Sequence, residues 1–267
     1  MINRLAKQIF FGVTPPILTG LIRQLIHRSK HQQNDELKGF HESKQSIESD
    51  EYIQWICQIL GGWLSAGHGN IAAFDYAIKQ MPENGAVIEI GSFLGLSTNI
   101  IAYLTIKHDR KNPFFSCDPW LFECTEEPIG GYFDASRKEY RDYAKKVFEM
   151  NLELFSGNRK PYAIEDLSGN FLENWHAKST AQDVFGRSIE FGGSISFAYI
   201  DGAHTYEAAK EDFLGIDRYL LPGGFVLFDD SADDSPFDCK KVVAEVIANP
   251  AYELVCKTPN YFFRKIK

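Results

Sequence analysis

Three carboxylates and an imidazole are spaced so that they could hold a metal ion. Asp201 closes the apolar run Ser194-Ile-Ser-Phe-Ala-Tyr-Ile200, and His204 follows in the turn after it. Asp229 and Asp230 close a second apolar run, Phe225-Val-Leu-Phe228, which Leu221-Pro-Gly-Gly224 introduces. A helix pattern from about Tyr206 to Leu221 joins the two. If the runs are adjacent parallel strands, all three carboxylates meet at neighbouring carboxyl ends. Such a grouping is unfavourable unless a cation neutralises it. Oxygen-only ligands favour a hard ion such as Mg²⁺ over zinc. The competing reading is a solvated strand end and a histidine that only begins a helix.

A second stretch, Gly85-Ala-Val-Ile-Glu-Ile-Gly-Ser-Phe-Leu-Gly-Leu-Ser-Thr98, reads as a buried strand, a glycine turn and a helix start. Gly91 and Gly95 allow a sharp turn and close approach of a ligand. Ser97 or Thr98 is expected to cap the helix, whose N–H groups and positive dipole end suit a nucleotide-like ligand. A dinucleotide fingerprint needs a second glycine two residues after the first. Phe93 stands there, which disfavours a nicotinamide-dependent oxidoreductase. An ordinary strand-to-helix turn is the plain alternative.

Around these stretches the pattern alternates strands and helices, as in an α/β, doubly wound, mostly parallel sheet. Asn112 to Asp118 is the expected second strand, and its terminal acid could accept from ribose hydroxyls. Pro161 to Asp166 is the third, where Asp166 and Ser168 could meet an adenine. A polar loop is expected before Ser194, and a closing pair of strands at Tyr252–Cys256 and Tyr261–Lys265. The glycine-rich loop Gly61–Asn70 carries His68 and Asn70 as possible contacts. Trp120 to Phe133, aromatic, acidic and glycine-containing, reads as a lid that would select a substrate.

Glu89 with G-x-x-x-G resembles motif I of the class I S-adenosylmethionine (SAM) methyltransferases. D-G-x-H, L-x-P-G-G and the acidic pair Asp229-Asp230 resemble the metal-dependent sugar and natural-product O-methyltransferases of the macrocin type. The resemblance spans roughly residues 85–230. It implies a Rossmann-like fold with a seven-stranded sheet ending in an antiparallel hairpin. It also implies that Glu89, Gly91, Ser92, Gly95, Ser97, Asp118, Asp166 and Asp201 bind SAM. By the same resemblance Asp201, Asp229 and Asp230 would hold Mg²⁺, and His204 would be the general base, with Asp201 in the catalytic set. A sugar, glycan or natural-product hydroxyl would be methylated. The middle of motif I, Ser-Phe-Leu, departs from the glycine-rich pattern. A non-catalytic scaffold that kept the fold is the third reading.

Charge is divided unevenly. Arg4, Lys7, Arg23, Arg28 and Lys30 precede the first acid, Asp35, and the whole chain carries −8, which leaves −13 for the rest. An acidic body is a poor partner for nucleic acid. Five scattered cysteines without a C-x-x-C pair argue for a reducing, cytoplasmic setting. Residues 1–50 read as a basic amphipathic segment followed by a polar linker over 32–50, and 51–267 as the methyltransferase domain. Ile17, Leu18, Leu21, Ile22, Leu25 and Ile26 recur at helical spacing. Residues 9–28 are too interrupted to span a bilayer, which needs ~20 apolar residues. They would lie on the inner membrane surface or pack on protein, the body or a second copy in a homo-oligomer.

Overall fold

The computed structural model describes residues 37–62, 64, 69–121 and 136–267. The basic segment 9–28, His68 and residues 122–133 of the expected lid lie outside them. The chain divides into two compact units, 1–41 and 42–267. The described residues 37–41 of the first unit are helical, and the account below concerns the second.

Helical residues 42–48 lead to α1 (Glu51–Ile59), α2 (Gly69–Gln80) and β1 (Ala86–Ile90). Then come α3 (Leu96–Lys107), β2 (Phe114–Cys117), α4 (Arg137–Phe155), β3 (Tyr162–Ile164) and α5 (Ser168–Ala177). A small hairpin, β4 (Thr180–Gln182) and β5 (Ser188–Glu190), precedes β6 (Ile195–Ile200), α6 (Tyr206–Asp217) and β7 (Leu220–Phe228). The chain closes with α7 (Lys240–Ala248), β8 (Tyr252–Lys257) and β9 (Tyr261–Lys265).

Seven strands form one sheet in the order β3-β2-β1-β6-β7-β9-β8. The first five are parallel, and β9 pairs antiparallel to both β7 and β8. This is the expected doubly wound architecture with its closing hairpin. β1 and β6 are buried at every position, which explains their nearly continuous apolar runs, broken only by Glu89 and Ser196. One sheet face packs Ile88, Ile90, Phe115 and Val226 against α5, α6 and α7 through Phe171, Phe213 and Val242. On the other face, the ring of Phe74 in α2 meets Phe197 and Tyr199 of β6.

Three differences from the sequence reading have local causes. The supposed linker is helical over 37–48, and Ser43 and Ile47 are buried. Tyr103 and Lys107 reach Asp50, which also caps α1 by accepting from the Ile53 N–H. The polar stretch before β6 is the hairpin β4–β5, in which Ile189 is buried and Thr180, Gln182 and Ser188 are exposed. Trp120 is not part of a lid. It is buried against Phe148, and its indole N–H donates to the Phe93 carbonyl at 2.8 Å.

Candidate functional site

The order of the sheet brings the ends of β1, β2, β6 and β7 together. At the end of β1, Gly91 takes φ +86°, and a Cβ there would lie 1.9 Å from the Asp201 carbonyl oxygen. Only glycine lets the β1 turn and the β6 end come this close. Gly95 also has positive φ and is the N-cap of α3, with no side-chain cap. The expected capping by Ser97 or Thr98 is therefore not what occurs: both lie inside the helix. The Thr98 hydroxyl donates instead to Glu89 Oε2 at 2.6 Å.

Glu89 is fully buried beneath the turn. The Ser116 hydroxyl also donates to its Oε2, at 2.7 Å, and Ser116 in turn is bonded to the Ser92 hydroxyl. Among the described residues, Glu89 Oε1 has no hydrogen-bond partner. Burial pushes the Glu89 carboxyl up to about 7, against the opposing bonds from Ser97, Thr98 and Ser116. Beside it, Asp118 accepts from the Ser92 and Phe93 N–H groups at 2.8 Å each and from the Trp120 N–H at 2.6 Å. Burial raises its pKa and these three amides oppose the rise. Two turn amides expected to face a ligand are thus taken by Asp118. Asp166 accepts from the Leu167 N–H and the Asn170 side chain, both at 2.8 Å, at the start of α5. Its carbonyl receives the Cys117 thiol, so β3 does end beside β2.

The carboxylate end is arranged differently. One ligand atom each from Asp201, His204 and Asp230 lies within 4.8 Å of the others. The expected oxygen-only trio is here two carboxylates and an imidazole. His204 Nδ1 is 3.1 Å from Asp230 Oδ2, with both side chains about two-fifths exposed. Phe237 stacks on the imidazole at 4.4 Å between ring centroids. Asp229 is not a member of this group. Its carboxylate accepts from Asn70 at 2.7 Å, from Asn260, and from the Tyr199 hydroxyl at 2.8 Å. The same hydroxyl lies 3.1 Å from Asp201 Oδ2. One hydroxyl proton serves two carboxylates, so the pair favours keeping a second proton. Burial, then the charges of Asp229 and Asp230, push the Asp201 carboxyl well above the usual range. Burial and Asp229 also raise Asp230, which His204 opposes.

The donor sets fit the two expected groups in different ways. A buried carboxylate oxygen lacking a donor, under a glycine turn, suits the ammonium of an aminoacyl ligand such as SAM. Two carboxylates and an imidazole within one coordination sphere suit a divalent cation. Sequence reasoning had named Asn70 only as a loop contact, and it missed Tyr199, Phe237 and Asn260. Tyr199 was within reach, because residues two apart on a strand share a face. Asn260 has no local signal, since its partner Asp229 is 31 residues away.

Comparison with known proteins comes down on the side of the fold. A family described as "Methyltransferase domain" matches residues 88–231, more than half of the chain. The solved structure of the O-methyltransferase NovP superposes with a TM-score of 0.53 at 16% identity, covering 74% of this chain and 80% of that one. CalS11, a TDP-rhamnose 3'-O-methyltransferase of calicheamicin biosynthesis, gives 0.50 at 16% identity, covering 85% and 93%. No curated protein matches the sequence. Among the described residues no helix is long and apolar enough to cross a membrane.

Proposed function

The chain belongs to the methyltransferase domain family as a class I SAM-dependent enzyme, and from this we propose that it methylates a hydroxyl of a small molecule, a sugar or glycan first. The observation that carries the reading is the convergence of Asp201, His204 and Asp230 beside the Gly91 turn. SAM, when bound, supplies an electrophilic methyl group. Glu89, Gly91, Ser92, Gly95, Ser97 and Asp118 would hold it, with Asp166 near the adenine and Asp201 at the inner edge. Mg²⁺, when bound, lowers the pKa of a coordinated hydroxyl. Asp201 and Asp230 would hold it, with Asp229 adding its charge behind them.

An alcohol is a poor nucleophile at neutral pH, so a base must take its proton. His204 is placed for that role. With a proton on Nδ1 donated to Asp230, the lone pair of Nε2 is left to accept another. Phe237 holds the plane of the ring. The proton of the acceptor hydroxyl would pass to His204 Nε2, leaving its oxygen the electron pair with which to attack. A sugar acceptor is also supported by the likeness to CalS11, which methylates TDP-rhamnose. The reading is tested by supplying SAM and a panel of nucleotide-linked sugars to the purified protein and measuring S-adenosylhomocysteine formed. Product from sugars with free hydroxyls, lost with His204→Ala, bears it out. Methylation confined to amine or thiol acceptors refutes it.

A further inference from the structure

Asp230 is the residue on which the reaction site turns, and its backbone conformation is an uncommon one. Its φ is +50°, in the left-handed region that residues with a Cβ seldom adopt. Such a conformation persists only where the surroundings hold it. Asp230's own carboxylate is committed to His204, so the hold comes from the Cys239 thiol, which donates to the Asp230 carbonyl at 3.2 Å, and from its neighbours.

Both neighbours are gripped by one side chain. The Asn260 amide nitrogen donates to Asp229 Oδ1, and its oxygen accepts from the Ser231 N–H at 3.0 Å. Asn260 is buried, and it comes from the β8–β9 turn rather than from β7. Asn70, at the start of α2, adds a second amide donor to the same Asp229 oxygen at 2.7 Å. Ser231 is fixed further, since its hydroxyl donates to the Phe228 carbonyl and accepts from the Tyr261 N–H. Residues 229 and 231 are therefore pinned while 230 alone is turned outward.

We propose that Asn260, seconded by Asn70, is a positioning residue that keeps Asp230 aimed at His204 and Asp201. The proposal rests on the reading of those three groups as the reaction site. Without the Asn260 amide, Asp230 can relax to negative φ, and its carboxylate swings off the imidazole. A role confined to hairpin stability would leave the cation site of the folded protein unchanged.

The test uses the full-length protein with Asn260→Ala, titrated calorimetrically with Mg²⁺, while hydrogen exchange at the Ser231 amide is followed by NMR. Binding of S-adenosylhomocysteine serves as the check on folding. Cofactor-product affinity is expected to stay near wild type, while Mg²⁺ affinity falls roughly 10-fold or more, as for other residues that orient metal ligands. Exchange at Ser231 should quicken by a similar factor. Unchanged Mg²⁺ affinity in the folded variant overturns the proposal. Should that variant not fold, Asn70→Ala decides, since it removes one donor to Asp229 and leaves the Ser231 bond: weaker Mg²⁺ binding supports the proposal and unchanged binding overturns it. If the wild type binds S-adenosylhomocysteine but no Mg²⁺, the metal reading has failed rather than this one. The His204 ring resonances then decide, because the ring faces Asp230: a shift in Asn260→Ala upholds the brace and unchanged resonances refute it.

Discussion

The two halves of the site treat their acids in opposite ways. At the β1 turn, Asp118 receives three backbone amides and Glu89 two hydroxyls, so the chain itself supplies the donors. At the ends of β6 and β7, Asp201 and Asp230 face each other and His204, with one tyrosine hydroxyl between Asp201 and Asp229. The first half has all but one of its carboxylate oxygens supplied with donors, Glu89 Oε1 being left to accept from a ligand. The second keeps uncompensated negative charge, which a proton or a cation must balance. On the proposed reading, the first half would hold the cofactor and the second would activate the acceptor. They touch where Gly91 meets the Asp201 carbonyl.

The largest effect should come from breaking that contact. Gly91→Ala places a methyl 1.9 Å from the Asp201 oxygen at a φ of +86°. A loss of at least ~3 kcal/mol is expected, from strain together with the clash. Urea unfolding would register it, with S-adenosylhomocysteine binding lost as well. Equal stability would mean that the two halves are less tightly joined than described.

His204→Ala separates the halves. Turnover should fall about 10²- to 10⁴-fold, the usual worth of a general base. Affinity for S-adenosylhomocysteine should not change, because no bond of the β1 turn involves His204. Undiminished turnover would remove His204 from the base role. Asp230→Asn is the next step down. It should weaken Mg²⁺ binding roughly 10-fold, measured by calorimetry, and again spare the cofactor half.

Glu89 gives the most particular effect, one that only a pH series shows. Its folded carboxyl titrates near 7, against an ordinary value of 4.5. The folded state therefore binds this proton more tightly than the unfolded chain, and stability falls as pH rises from about 4.5 to 7. Glu89→Gln should flatten that fall in urea midpoints measured from pH 5 to 8. A slope unchanged by the substitution would place the titration elsewhere.

Much of this was legible in the chain, for identifiable reasons. Buried parallel strands leave apolar runs, so β1, β6 and β7 and the acids that end them stood out. Gly91 and Gly95 marked the turn because a left-handed backbone needs them. The hidden parts are those fixed by distant partners. Residues 37–48 look like a linker because their apolar residues, Phe40 and Ile47 among them, are sparse. Asp229 and Asp230 were read as equals, although β7 ends at Phe228 and the chain turns left-handed at Asp230. Their division of labour depends on Asn70 and Asn260, which the sequence places 159 and 31 residues from Asp229. Trp120 joined an aromatic stretch in sequence but the core in space.

The most direct test of the account is a pair of calorimetric titrations on the purified full-length protein, first S-adenosylhomocysteine without metal, then Mg²⁺ into that complex. The account predicts cofactor-product binding without metal, because the carboxylates of the β1 turn draw their donors from the chain itself. It predicts a separate Mg²⁺ event that Asp201→Asn or Asp230→Asn weakens and Glu89→Gln leaves alone. Binding of S-adenosylhomocysteine that requires Mg²⁺, or Mg²⁺ binding indifferent to Asp201 and Asp230, would contradict the division into two halves.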